Sequence, residues 1–130
     1  MKVKVFIFAL LSVFLLSSCE HQQPRQQHSS KAKIFHKIDP DQPLVEEPFV
    51  ITFTTPAEVL LENGKIEGIS MYMGSIPLIL EQIAVGKWQA KLWLGACSDP
   101  QMQWQGTVPW RHRENSIRGV YVFQFKTETN

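Results

Sequence analysis

The chain has 130 residues, of which 13 are basic and 12 acidic, with 44% hydrophobic residues and 2 cysteines. That length holds one domain of ordinary size, and a formal net charge of +1 makes no electrostatic case for nucleic acid, whose recognition needs clustered cations to neutralise phosphates. No run of basic residues argues for attraction to an anionic lipid surface either.

The N-terminal segment comes first. Lys2 and Lys4 precede Val5 to Leu16, which is apolar except for Ser12. A run of about 12 residues is too short for a bilayer core that needs roughly 20. Charged start, short apolar stretch and small residues at its end predict an export signal over 1–18. The signal closes on Leu16-Ser17-Ser18-Cys19, which resembles the bacterial lipobox. The resemblance implies a diacylglyceryl group on the Cys19 sulfur, cleavage before Cys19 and, in the usual case, acylation of the new amine. Acyl chains contribute roughly 0.8 kcal/mol per buried methylene, so such a Cys19 is a lasting anchor. Glu20 follows, and in enteric-type sorting the absence of aspartate at that place points to the outer membrane, facing the periplasm. Loss of Lys2 and Lys4 takes the 13 basic residues to 11 against 12 acidic ones. Cys97 is then a single thiol in an oxidising compartment, expected to be buried, metal-bound, reactive or joined to another chain; a Cys19–Cys97 disulfide is the alternative that would exclude the lipid.

Residues 19–31 hold the anchor cysteine and the polar stretch EHQQPRQQHSSK. With no aliphatic or aromatic residue, that stretch cannot offset its own ordering entropy and is expected to act as a tether. Residues 32–130 are the predicted domain. In FVITFTT, Phe49, Ile51 and Phe53 alternate with Val50, Thr52 and Thr54 between Pro48 and Pro56, as a strand requires. ENGK (62–65) carries Asn63-Gly64, a pair suited to a tight hairpin turn. Ile69, Met71 and Met73 are expected on one strand face, and the segments around Trp88–Leu94, Met102–Val108 and Ile117–Phe125 alternate in the same way. The predicted strands lie near 33–38, 49–55, 65–73, 77–83, 87–95, 102–109 and 117–126, with a short one near 58–61. Seven or eight short strands without a long helical period predict an all-β, antiparallel, immunoglobulin-like sandwich, packed over Phe53, Trp88, Leu92, Trp104 and Phe123.

The residues for catalysis are sparse. The domain has His36 and His112 but no serine in a strand–turn–helix elbow, no Cys-x-x-Cys, no His-Glu-x-x-His and no phosphate-cradling loop. Non-catalytic binding is therefore the expected role, with no required cofactor. One constellation points to a metal. Met71 and Met73 lie two residues apart, and LGACSDPQMQW brings Cys97, Met102 and Trp104 near an Asp99-Pro100 turn. Thiolate and thioether sulfurs are soft donors that select Cu(I). The alternative is that these residues fill the core. A second constellation is VPWRHREN (108–115), where Trp110, Arg111, His112 and Arg113 form either a partner-binding loop, for a protein, an anionic glycan or a lipid headgroup, or a hairpin whose tryptophan folds back on the sandwich.

The order of strand, MYMG-x-IP, strand, G-x-C-S and M-x-W, carried by Met73-Gly74, Pro77, Gly95 and the trailing aromatic strand over roughly residues 45–110, resembles small periplasmic immunoglobulin-like domains of the YtkA-like or FixH-like kind. The resemblance implies a link to metal transport or oxidase maturation. The sequence thus predicts a lipid-anchored envelope protein with a binding or accessory sandwich, the alternative being a copper(I) chaperone or oxidase assembly factor using Met71, Met73, Cys97 and Met102.

Overall fold

The computed structural model describes residues 32–129; the expected signal (1–18), Cys19 and the tether (19–31) lie outside the described residues. Among these, nine strands and no helix are present: β1 Phe35–Asp39, β2 Pro48–Thr54, β3 Val59–Leu61, β4 Gly64–Gly68, β5 Ser75–Leu78, β6 Glu81–Ala84, β7 Lys87–Trp93, β8 Gln101–His112 and β9 Arg118–Glu128. They form a four-stranded sheet in the order β1-β2-β7-β6 and a five-stranded sheet in which β8 is flanked by β9 on one side and by β3 and β4 on the other, with β5 outside β4. Every strand pairing is antiparallel. With β3 and β4 taken as one interrupted strand, this is the immunoglobulin arrangement of an ABED sheet over a GFC sheet, with β5 added at the free edge of the second sheet, as the alternation predicts.

Period two decides what goes inside. On β2, Phe49, Ile51 and Phe53 are buried; on β7, Trp88, Ala90 and Leu92; on β8, Met102, Trp104, Val108 and Trp110. All five expected core residues are buried. The deepest polar contact is the Trp104 indole N–H, which donates to Thr127 Oγ1 at 2.9 Å, both side chains being fully buried. Trp104 thus satisfies its polar atom inside the core, whereas Trp88 Nε1 is buried without a partner.

Three local expectations differ from the structure. Asn63-Gly64 is not a hairpin turn. Leu61 pairs with Trp110 and Lys65 with Thr107, so one extra residue enters on the β3–β4 side, and the pair marks a bulge. Gly64 is needed there because a Cβ would strike the Thr107 carbonyl oxygen. The tight turn lies instead at Val85-Gly86, where Gly86 has φ of 69°. Residues 77–83 are two strands, not one: β5 belongs to one sheet and β6 to the other, and Ile79-Leu80 carries the chain across. Finally, the strand expected over 65–73 stops at Gly68, so Ile69, Met71 and Met73 lie on a loop and do not share a strand face.

The strands give the sandwich two distinct ends. At one, Phe35 pairs with Thr54, the Thr55 N–H donates to Gly86 O (2.8 Å) and the Arg113 N–H donates to Glu58 O (2.7 Å). This end gathers Ala32, the β6–β7 turn and the β8–β9 turn. At the other end, the Glu46 N–H donates to Leu94 O (2.8 Å), Ile69 N–H to Gln103 O (2.8 Å) and Thr129 N–H to Pro100 O (3.2 Å). That end holds the β1–β2, β4–β5 and β7–β8 loops. β8 runs between them, and Met102 to His112 spans about 33 Å at the usual rise of a strand.

Candidate functional site

The far end, where β8 begins, assembles the sulfur residues. Met102 is the second residue of β8, faces inward opposite Thr127 and is fully buried. Cys97 lies in the loop before it, half-buried and packed against the core. Its placement follows from the loop itself: the Gln101 N–H donates to Asp99 Oδ1 at 3.0 Å, an Asx turn that folds 97–101 back on the strand. Cys97 Sγ lies 3.6 Å from Met102 Sδ and 3.5 Å from Asp99 O. Ser98 Oγ, one residue on, lies 3.8 Å from Met71 Sδ. Met71 is exposed, and Met73 packs against the core from the same loop. Two of the four sulfurs, Cys97 Sγ and Met102 Sδ, thus touch, while the Met71 sulfur lies against the Ser98 hydroxyl at the same end of the sandwich.

Ser70 was not singled out by its sequence context. Its hydroxyl donates to Met102 Sδ at 3.1 Å and accepts the Gln103 N–H at 3.1 Å. Hydrogen bonds from Ser70 and from the Gln101 N–H hold the Asp99 carboxyl below the ordinary carboxylate range. Ser70 has one hydroxyl proton, so sulfur and carboxylate compete for it. Gly68 completes the pocket: a Cβ there would meet Met71 O and the Met102 methyl, so only glycine lets the loop close over Met102.

Chemically, two sulfurs 3.6 Å apart suit an ion bonded to each at about 2.3 Å, the length of a metal–thiolate bond. A spread of a few tenths of an ångström gives a trigonal angle. Met71 is exposed on the neighbouring loop, its sulfur 3.8 Å from Ser98 Oγ. Among the described residues no group of three or more His, Cys, Asp or Glu side chains could hold a harder ion.

The second constellation divides. Residues 108–112 belong to β8, not to a loop, and the turn to β9 comprises 113–117. Trp110 is buried, with its indole stacked over Gly119. It is a core residue and cannot form an exposed partner surface. Arg111 and Arg113 are exposed and His112 is half-buried. Arg111 Nε pairs with Glu62 at 3.4 Å.

A third feature, not foreseen from the sequence, joins the two sheets. β1 and β9 are edge strands on the same side, and His36 Nδ1 lies 2.8 Å from the Tyr121 hydroxyl across them. The imidazole lies 4.6 Å from the Phe123 ring, itself 5.5 Å from Phe53. Burial lowers the His36 pKa from 6.5 and raises that of Tyr121. With its own proton on Nε2, neutral His36 accepts a hydrogen bond from the Tyr121 hydroxyl at Nδ1. Because the folded state disfavours imidazolium, this contribution is complete above the unfolded pKa of 6.5 and is lost as pH falls through the lower folded value. Urea titrations between about pH 7 and pH 5 should show stability falling in the wild type and a shallower fall in His36→Gln; equal slopes would contradict this role.

Compared with protein-family models, with curated proteins and with solved structures, the chain matches none.

Proposed function

We propose that this chain is an envelope lipoprotein, held to a bilayer by lipid on Cys19 and facing the periplasm, and that its sandwich acts by binding and not by catalysis. The observation that carries this is Leu16-Ser17-Ser18-Cys19 at the end of a charged-then-apolar leader, with only residues 20–31 between it and the body that begins at Ala32. Glu20, in place of aspartate, favours the outer membrane. The binding role is supported by the far end, which exposes Tyr72 (88%) and Trp93 (69%), aromatic residues of the kind that anchor protein interfaces; an envelope protein is the partner this suits. Labelled palmitate fed to the native host should enter the wild-type chain and not Cys19→Ala. A wild-type chain that takes up no label would remove the anchor.

The contact between Cys97 and Met102 favours a second, more specific reading: the ligand is copper(I), held by Cys97, Met102 and Met71, and the protein is a copper chaperone or an assembly factor for a respiratory oxidase. The donor set is soft, it lies at one rim of the sandwich, and its exposed member offers an entry path. Met73, which completes the four-sulfur set expected from the sequence, supports the site through packing.

A further inference from the structure

The 13 basic and 12 acidic residues nearly cancel, yet they are not mixed evenly. The near end, from which the chain leads back to Cys19, carries Lys33, Lys87, Arg111, Arg113 and Arg118, all exposed, against Glu58, Glu62 and Glu114. The far end carries Asp39, Asp41, Glu46, Glu47, Asp99 and Glu128, against Lys91 and Lys126. The fold therefore makes a charge dipole along β8, positive towards the anchor. A basic surface is assembled from three separate segments, Lys33, Lys87 and the 111–118 hairpin, which is why no long basic run shows in the sequence.

Within the near end, Arg111 and Arg118 face each other directly across β8 and β9. Like charges at opposed positions destabilise a sheet unless something neutralises them. Arg111 has Glu62, but among the described residues neither Arg113 nor Arg118 forms an ion pair. Exposed apolar side chains lie among these cations: Phe35 (62%), Val85 (74%) and Ile117. Cations interleaved with apolar tips are the composition of a surface that lies on anionic lipid.

We infer that this end of the sandwich seats on an anionic phospholipid bilayer, with Arg113, Arg118 and Lys87 at lipid phosphates and Val85 and Ile117 entering the headgroup layer. The inference rests on the proposed anchor at Cys19. Residues 20–31 can reach at most roughly 40 Å, so the anchor confines the basic end near the surface and gives even a weak contact a high effective concentration. The acidic end is repelled by the same surface. The domain therefore stands upright, with Cys97, Met102, Tyr72 and Trp93 about 33 Å further from the lipid along β8, open to a partner.

The test uses the chain from residue 19 onward with Cys19→Ser, which carries no lipid, and vesicles of phosphatidylcholine with or without phosphatidylglycerol. It should float with the anionic vesicles only, and less as salt rises. Arg113→Ala with Arg118→Ala should lower partitioning about thirtyfold, whereas Lys91→Ala with Lys126→Ala, at the far end, should not. Equal partitioning to both vesicle types, or an unchanged arginine variant that retains its fold by circular dichroism, would overturn the inference, as would binding to acidic protein but not to vesicles. Since this chain has no lipid, a negative vesicle result leaves the anchor standing, and a native product without lipid leaves the vesicle result standing.

Discussion

Cys97→Ala is expected to weaken Cu(I) binding about a hundredfold or more in competition with a chelator under reducing conditions. The magnitude follows from the role of the residue: removal of groups that merely orient a ligand already costs 10–100-fold, and Cys97 is the only thiolate donor in the sulfur cluster. One ion per chain should bind. Met71→Leu and Met102→Leu keep the volume of the side chain, a swap that proteins tolerate well, while deleting the sulfur; each should weaken binding about tenfold. Met73→Leu should change little, because its side chain packs on the core. Wild-type protein that fails against even a weak chelator would end the copper reading. So would a Cys97→Ala variant of undiminished affinity. Neither result touches the envelope anchor, which depends on other residues.

Gly106→Ala is expected to be among the most destabilising single-methyl changes available to this fold. Gly106 faces Phe123 across β8 and β9, and the Phe123 ring lies flat on it; a Cβ would overlap the ring carbons. The ring has little room to move. Phe53 meets it at 5.5 Å edge-on, His36 lies at 4.6 Å and Phe125 stacks on it at 6.1 Å. Overpacking of this kind costs about 2 kcal/mol, which for a domain of this size lowers the unfolding midpoint by roughly 10 °C. Gly95→Ala is the control, since nothing lies within 4 Å of a Cβ there, and it should leave the stability within about 0.5 kcal/mol of the wild type. Phe123→Leu combined with Gly106→Ala should cost less than the two separately, because the smaller side chain removes the overlap. Strict additivity would mean that Phe123 is not what fills the space above Gly106.

These two sites also mark where the sequence was legible. The buried strands could be identified because alternation is a local property: Phe49-Ile51-Phe53 and Trp88-Ala90-Leu92 each display period two within seven residues. Trp110 obeys the same rule, since it continues the inward series Met102, Trp104, Val108; it was misplaced only because β8 runs to His112, past the expected end at 109. What eluded the sequence was set by distant partners. Asn63-Gly64 has the composition of a hairpin, but the twelve-residue β8 offers an unbroken edge to which both β3 and β4 pair, so the chain bulges instead of turning. Residues 77–83 give no local sign of the step at Ile79-Leu80, because leaving one sheet for the other is decided by which neighbours are free.

The candidate sulfur site was legible as a set and not as a geometry. Soft donors in two short segments suggested that they meet, and Cys97 and Met102 do, but Met71 and Met73 lie on a loop in place of a shared strand face. Ser70, whose hydroxyl orients the Met102 sulfur, carries no spacing signal at all. The same holds for the His36–Tyr121 contact, formed between residues 85 positions apart. Charge was the least legible property: a sum near zero concealed two ends of opposite sign, because the segments that build each end are scattered along the chain.

The most direct test of the whole account is the intact mass of the protein purified from its native membrane. It should begin at residue 19 and exceed the mass of the unmodified 19–130 chain by a diacylglyceryl group, with or without a further acyl chain on the amine. A product that still begins at Met1, with an unmodified thiol at Cys19, would contradict the account.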